Sequence, residues 1–334
     1  MASKAKKIAA LTGLSLPTIW HILGNKGHLY KPQTRQKVLD AAEKLGYRPN
    51  MSARAMSTGK FGCVALLLSS STDRSSLPPS VLHGINDALL KRDMHLTLFQ
   101  TPDHTLLENG FVPKILTQSM ADGLLINYTH WMPEPVKKRL TAAKIPTIWI
   151  NTDRPHDCVR PDDVRAGYDA TRRLIELGHE RIAYLKYFPS EHYSVAGRGK
   201  GYAKAMKEAG LRPRVIDDQV SHSEFKALAA RVLKGKDRPT AAVAYGDTAA
   251  FAFSTAALEL GMRIPDDLSL ATFAGRPVDT TGTAYDTWVI PEHEIGAAAV
   301  EMLLEKIDAP KKKIPARAFA FTYHAGESCA APRA

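Results

Sequence analysis

The first sixty positions of the chain repeat apolar residues with a helical period that is broken twice. Ile8, Ala9 and Leu11 fall at helical spacing, Gly13 interrupts them, and Ile19, Ile22 and Leu23 take the period up again. Gly13 allows the positive φ that ends a helix. Ser15 is a good N-cap, because its hydroxyl accepts from the free N–H groups of the next helix. Pro17 falls in that helix's first turn, where its missing N–H costs little. A third helix starts at Pro32, carries a stripe of Val38, Leu39, Ala42 and Leu45, and stops at Gly46. The segments YRPN (47–50), SARAM (52–56) and STGK (57–60) follow it. Helix, tight turn and helix within about twenty residues make a helix-turn-helix. Thr12, Gly13, Ser15, Pro17 and Thr18 interrupt the apolar run too often for a secretion signal.

From Gly62 onward the pattern changes to short apolar runs alternating with amphipathic segments. Strands are predicted at 63–68, 95–99, 122–127, 146–151, 181–187, 214–217, 241–245 and 268–273. Helices are predicted around 81–92, 106–118, 134–143, 165–177, 198–209, 224–234, 248–260 and 291–306. Such alternation implies parallel sheets covered by helices. Two series in tandem predict two Rossmann-like subdomains, with ligand at the carboxyl ends of the strands.

Charge sharpens this picture. Residues 1–60 hold a net +9 of the chain's total +11, so a basic head joins a nearly neutral body. That is the footprint of a polyanion-binding unit. Cys63, Cys158 and Cys329 lie far apart with no CxxC, which argues against a disulfide scaffold or zinc site and for a reducing cytoplasm. The apolar run VALLL (64–68) is too short to span a bilayer, so no membrane association is expected. No GxGxxG, Walker A, HExxH or GxSxG string occurs, and neither an enzyme nor a cofactor or metal is expected.

The joined string TRQKVLDAAEKLGYRPN (34–50) and MSARAM (51–56), following the helix-turn-helix, resembles the lactose-repressor (LacI/GalR) family of bacterial transcription factors. The resemblance covers essentially the whole chain. It implies an all-α helix-turn-helix head and an α/β periplasmic-binding-protein-like body of two Rossmann-like subdomains. The expected divisions are a head at 1–48, a hinge helix and linker at 49–60, and an effector-binding and dimerisation domain at 61–334. Within that domain, subdomain one takes about 61–160 and 289–322, and subdomain two about 161–288 and 323–334.

The implied function is a cytoplasmic regulator, most often a repressor, that binds double-stranded, pseudo-palindromic operator DNA as a homodimer. Ser15, Leu16, Pro17, Thr18 and His21 would lie at the major groove, with Lys31 on phosphate. The hinge residues Asn50, Ala53 and Arg54 would follow the minor groove, with Met56 as the apolar wedge that unstacks a central step. The family's T-V-S-R reads TIWH here, so Trp20 replaces a small hydroxyl residue and His21 an arginine. His cannot make the bidentate pair to guanine that Arg makes, so the operator should depart from the family's commonest half-site. Trp20 is read equally as a DNA-backbone contact or as a packing residue.

The resemblance also implies an effector cleft lined by Asn151, Asp163, Tyr193, Arg198, Asp247 and Trp288. The family's G-[FY]-D-D reads TFAG (272–275), so Ala274 removes an aspartate that commonly holds a sugar hydroxyl. A weak response to simple hexoses is therefore expected, and an anionic group opposite Arg198, as in a sugar acid or sugar phosphate, is favoured. The glycine-rich GRGKGY (197–202) is read as the family's arginine segment, with a phosphate-cradling loop as the weaker alternative. The ending AGESCAAPRA carries no leucine heptad, so a helical tetramerisation tail is not expected. Two other readings remain open: a solute-binding or sugar-processing protein with a structural N-terminal segment, and a DNA-binding regulator controlled by a partner protein.

Overall fold

The computed structural model describes residues 4–24, 26–47, 59–70, 75–101, 118, 120–128, 132, 134–186, 192–218, 220–280 and 282–333. The chain divides into two compact units, Met1–Phe61 and Gly62–Ala334. The expected hinge residues Asn50, Ala53, Arg54 and Met56 lie outside the described residues, as does nearly all of the helix expected at 106–118.

The head is built from α1 (Lys4–Thr12), α2 (Leu16–Leu23) and α3 (Pro32–Lys44). Gly13 follows α1 with φ +68°, and Gly46 follows α3 with φ +54°, as expected of the stops at those positions. A small core of Ile8, Ile19, Ile22, Val38, Ala41 and Ala42 closes the three helices, with Leu23, Tyr30, Leu45 and Tyr47 packed around it. Two expected core positions are corrected. Leu11 is 61% exposed and Leu39 sits at the edge of exposure, because α1 turns Ala5, Ile8 and Thr12 inward and α3 turns Val38, Ala41 and Ala42 inward. At helical spacing, Leu11 and Leu39 each fall one position off those inward rows.

The body carries two six-stranded sheets. The first is built from β1 (Cys63–Ser69), β2 (His95–Thr101), β3 (Gly123–Asn127), β4 (Thr147–Ile150), β5 (Cys158–Pro161) and β13 (Arg317–Phe319). Its order is β13-β5-β4-β3-β1-β2, with every described pairing parallel. The second contains β6 (Ile182–Leu185), β7 (Arg214–Ile216), β8 (Ala241–Ala244), β9 (Ser269–Ala274), β12 (Asp286–Val289) and β14 (Thr322–His324). Its order is β14-β12-β9-β8-β6-β7, and only the β12–β14 pair is antiparallel. A small hairpin of β10 (Asp279–Thr280) and β11 (Thr283–Ala284) stands apart from both.

All seven residues of β1 and all four of β6 and β8 are buried, which explains their unbroken apolar runs: a parallel strand covered on both faces does not alternate. The covering helices are α4 (Pro79–Leu90), α5 (Glu134–Ala143), α6 (Asp163–Glu176), α7 (Tyr193–Glu208), α8 (Phe225–Lys234), α9 (Asp247–Glu259) and α10 (Glu292–Asp308). The chain crosses between the sheets at 161–163, 289–292 and 319–322. After the second crossing α10 packs Ile295, Ala299 and Leu303 into the core of the first sheet. Past β14 the chain stays on the second sheet, where buried Ser328 bridges β9 and β12 by donating to Leu270 O and accepting from Asp286 N–H.

Candidate DNA-reading head and effector cleft

In the head, Ser15 caps α2 through its Oγ, which accepts from Thr18 N–H at 3.3 Å, and Pro17 sits in the first turn. Ile19 and Ile22 anchor the helix inward. Its outward stripe, at i, i+3 and i+4 spacing, is therefore Pro17, Trp20 and His21, with Leu16 and Thr18 half-buried beside it. Trp20 is 51% exposed, and its indole makes no ring stacking or hydrogen bond with any described residue. His21 is exposed and holds a hydrogen bond between its Nδ1 and Tyr30 Oη at 2.9 Å. Lys31 occupies the N-cap of α3 without a side-chain cap bond, a cation held where the helix dipole favours anions.

In the body, Asn151 lies at the carboxyl end of a strand, and Asp163, Tyr193 and Asp247 each open a helix. Asn151 follows β4 with φ +58°, a left-handed conformation that Asn tolerates better than most residues. Its Oδ1 accepts from Tyr193 Oη at 2.9 Å, joining the carboxyl end of β4 to the start of α7. Burial pushes the Tyr193 phenol far above its usual range, so it stays a neutral donor. His192 caps α7 and hydrogen-bonds Ser194, whose Oγ lies 2.7 Å from Tyr245 Oη.

Arg198 lies inside α7, 5% exposed. Its Nε donates to Asp163 Oδ1 at 2.8 Å and its Nη1 to Tyr245 O at 2.7 Å. Its guanidinium carbon lies 4.7 Å from the ring centres of both Tyr245 and Phe273 and 5.3 Å from that of Phe321. Burial pushes the Asp163 carboxyl upward, and the Arg198 charge opposes that push. For Arg198, burial is the largest influence and works against the charge, but Asp163, Tyr245 and Tyr184 together outweigh it and the net shift is upward. Arg198 is therefore not an open cation awaiting an anion: its charge is compensated from within the chain. Asp163 Oδ2, in contrast, is buried without a hydrogen-bond partner.

This placement depends on a close helix contact. A Cβ on Gly167 of α6 would come within 2.0 Å of Arg198 O, and one on Gly201 of α7 within 2.0 Å of Val164 O. Only glycine lets these two backbones approach so far, and the approach sets Arg198 against Asp163. GRGKGY (197–202) is thus helical throughout, and the alternative reading as a phosphate-cradling loop is excluded.

The remaining two residues sit differently. Asp247 is exposed in the first turn of α9, where its Oδ1 accepts from Thr248 N–H at 2.7 Å, two positions beyond the Tyr245 carbonyl held by Arg198. Trp288 is buried within the second subdomain, its ring 4.7 Å from Tyr323 and 6.4 Å from Phe273. Tyr245, Phe273 and Phe321 form the aromatic enclosure that the sequence did not single out. Tyr245 and Phe273 were nonetheless legible, next to Asp247 and Ala274 at the ends of two central strands. Among the described residues no cluster of His, Cys, Asp or Glu is arranged to hold a metal, and no helix is long and apolar enough to cross a membrane.

The description "periplasmic binding protein-like domain" matches residues 171–329. Over 316 residues, 90% of this chain and 91% of the relative, the sequence is 27% identical to the HTH-type transcriptional repressor PurR of Photobacterium profundum. It is 26% identical to the catabolite control protein A of Priestia megaterium, over 93% of this chain and 96% of that one. Across nearly its whole length the chain is similar to repressors and structural neighbours of the LacI family. It is a sequence-specific DNA-binding transcriptional regulator. The fold agrees: the Lac repressor bound to ONPG superposes with a TM-score of 0.75 at 19% identity, covering 96% of this chain and 98% of that one. The regulator CelR in its cellobiose complex superposes with a TM-score of 0.65 at 21% identity, covering 97% and 99%.

Proposed function

We propose that this regulator is a non-catalytic repressor that binds a pseudo-palindromic operator as a homodimer and is released or recruited by a small molecule held between its subdomains. One observation carries the DNA half of the reading: a Ser15-capped helix presents Pro17, Trp20 and His21 outward from a head of net +9. Leu16, Pro17, Thr18 and His21 contact base edges in this reading. Ser15 and Lys31 lie on phosphate, and Asn50, Ala53, Arg54 and Met56 engage the minor groove at the dyad. Symmetry follows from physics, since one helix-turn-helix offers few base contacts and a two-fold dimer doubles them. The regulator acts in the cytoplasm, where its operator is. The test is binding of the full chain to duplex DNA over a range of salt. Affinity should fall steeply and log-linearly with salt, and Lys31→Ala should flatten the slope by about one. A salt-independent affinity would contradict the reading.

The effector class follows from Arg198 and Asp163. The sequence favours a sugar acid or sugar phosphate opposite Arg198, but Asp163 compensates that charge from within the chain, which argues for a different ligand class. The unpartnered Asp163 Oδ2 instead suits an O–H or N–H donor. The effector in this reading is uncharged and presents such donors between Asn151, Asp163, Tyr193, Arg198 and Asp247, with Trp288 backing the aromatic enclosure. A thermal-shift screen should give stabilisation by uncharged, donor-bearing compounds, reduced in Asp163→Asn. Stabilisation only by sugar acids or phosphates would restore the anionic reading. Full DNA regulation with no small-molecule response would favour a partner protein.

A further inference from the structure

We infer that Tyr30 is a positioning residue that fixes the tautomer of His21 and so sets the base that the recognition helix accepts. This rests on the assignment of α2 as the DNA-reading helix. The observation is the bond between His21 Nδ1 and Tyr30 Oη, 2.9 Å long, with the two ring centres 6.2 Å apart. Tyr30 is a firm anchor: its side chain packs on the head core, and its backbone N–H donates to Gly27 O at 3.2 Å. His21 is exposed, and among the described residues its Nε2 has no hydrogen-bond partner.

In a neutral imidazole one nitrogen donates and the other accepts, and the bond made by one settles the role of the other. A phenol O–H is a strong donor and a poor acceptor, whereas a bare imidazole nitrogen is a strong acceptor. Tyr30 therefore donates to Nδ1, and the ring proton resides on Nε2. A lone Nε2–H donor pairs with acceptors on the major-groove edge. Guanine offers two adjacent ones, N7 and O6, while the amino groups of adenine and cytosine are donors and would clash with it. Adenine N7 and thymine O4 each offer one acceptor as well, so the donor rejects cytosine and prefers guanine, through a single bond weaker than the two-pronged arginine contact but equally signed. Without Tyr30 either tautomer becomes available, and the same histidine can accept from adenine or cytosine.

The experiment begins with the full-length protein and operators selected from random duplex DNA. Replacing guanine with 7-deazaguanine at the position lost in His21→Ala should weaken wild-type binding about five- to tenfold, the size of one hydrogen bond. Tyr30→Phe should relax the preference at that position alone, and in the His21→Ala background it should change nothing. Nitrogen NMR of the wild-type imidazole should place the proton on Nε2, a readout that needs no DNA and no variant. An Nδ1 proton, or a Tyr30→Phe protein with an unchanged base preference, would overturn the inference. A wild-type protein that enriches no sequence would overturn the DNA-reading assignment beneath it, whatever the NMR result.

Discussion

Arg198 and Asp163 form a salt bridge 2.8 Å long whose side chains are 6% and 2% exposed, so the most buried charge of the cleft is neutralised before any ligand arrives. Taking one partner away leaves an uncompensated buried ion, which costs about 3–5 kcal/mol. Arg198→Met should therefore destabilise the body by that order in urea unfolding. Asp163→Leu combined with Arg198→Met should recover most of the loss, because two apolar side chains need no partner. Equal, additive losses would mean that the pair is not the coupled unit described here.

The α6–α7 contact that sets this pair is equally testable. Gly167→Ala would drive a methyl to within 2.0 Å of Arg198 O, so the helices must part. Overpacking of this kind costs about 1–3 kcal/mol. The variant should lose that much stability and also its effector-induced thermal shift, since Arg198 moves with the α7 backbone. Unchanged stability would show that the helices are not held so close in solution.

Acid should loosen the body through His179. This ring is 2% exposed and bonds Thr240 Oγ1 at 3.0 Å, Ser269 Oγ at 3.1 Å and Ala330 O at 2.8 Å, tying the last described residues to the second sheet. The Ala330 carbonyl can only accept, so Nε2 carries the proton and Nδ1 accepts from Thr240. Burial lowers the His179 pKa below its ordinary value, partly offset by the Ala330 bond. The unfolded chain then takes up the proton more readily than the folded one. The contribution is full above the ordinary histidine pKa of about 6.5 and is lost as pH falls below it. Thermal midpoints of the wild type should drop between pH 7 and 5, and His179→Gln should show a shallower drop. Parallel curves would rule His179 out as the source.

Trp20 separates DNA reading from folding. Its exposure predicts that Trp20→Ser changes head stability by less than about 0.5 kcal/mol. Ile19→Ala, at a fully buried position, should cost about 2–5 kcal/mol and unfold so small a unit. If Trp20 lies against DNA, Trp20→Ser also weakens operator binding at unchanged helicity. Loss of helicity in Trp20→Ser would instead assign the ring to packing.

Legibility tracked how many residues shared a signal. The turn at Gly13 and Ser15, the stop at Gly46 and the long buried strands were plain, because each rests on a residue type with one physical use or on a continuous apolar run. The four-residue β5 and the three-residue β13 and β14 were not anticipated as strands, for they carry too few side chains to show a period. Helix α7 begins at Tyr193, five residues ahead of its predicted start, because His192 caps it and histidine is a poor capping signal in sequence. At the cleft, residue identities were legible but charge balance was not. Asp163 and Arg198 stand thirty-five positions apart, and only the glycine-mediated contact of α6 and α7 brings them together.

The central claim is that the exposed face of α2 reads a symmetric DNA site. Selection of the full-length protein against random duplex DNA, followed by footprinting of the enriched sequences, tests it most directly. The account predicts a pseudo-palindrome with two half-sites, in which His21→Ala erases one base preference per half and Met56→Gly reduces the bend at the centre. Enrichment of an asymmetric site, or of no site at all, would contradict it.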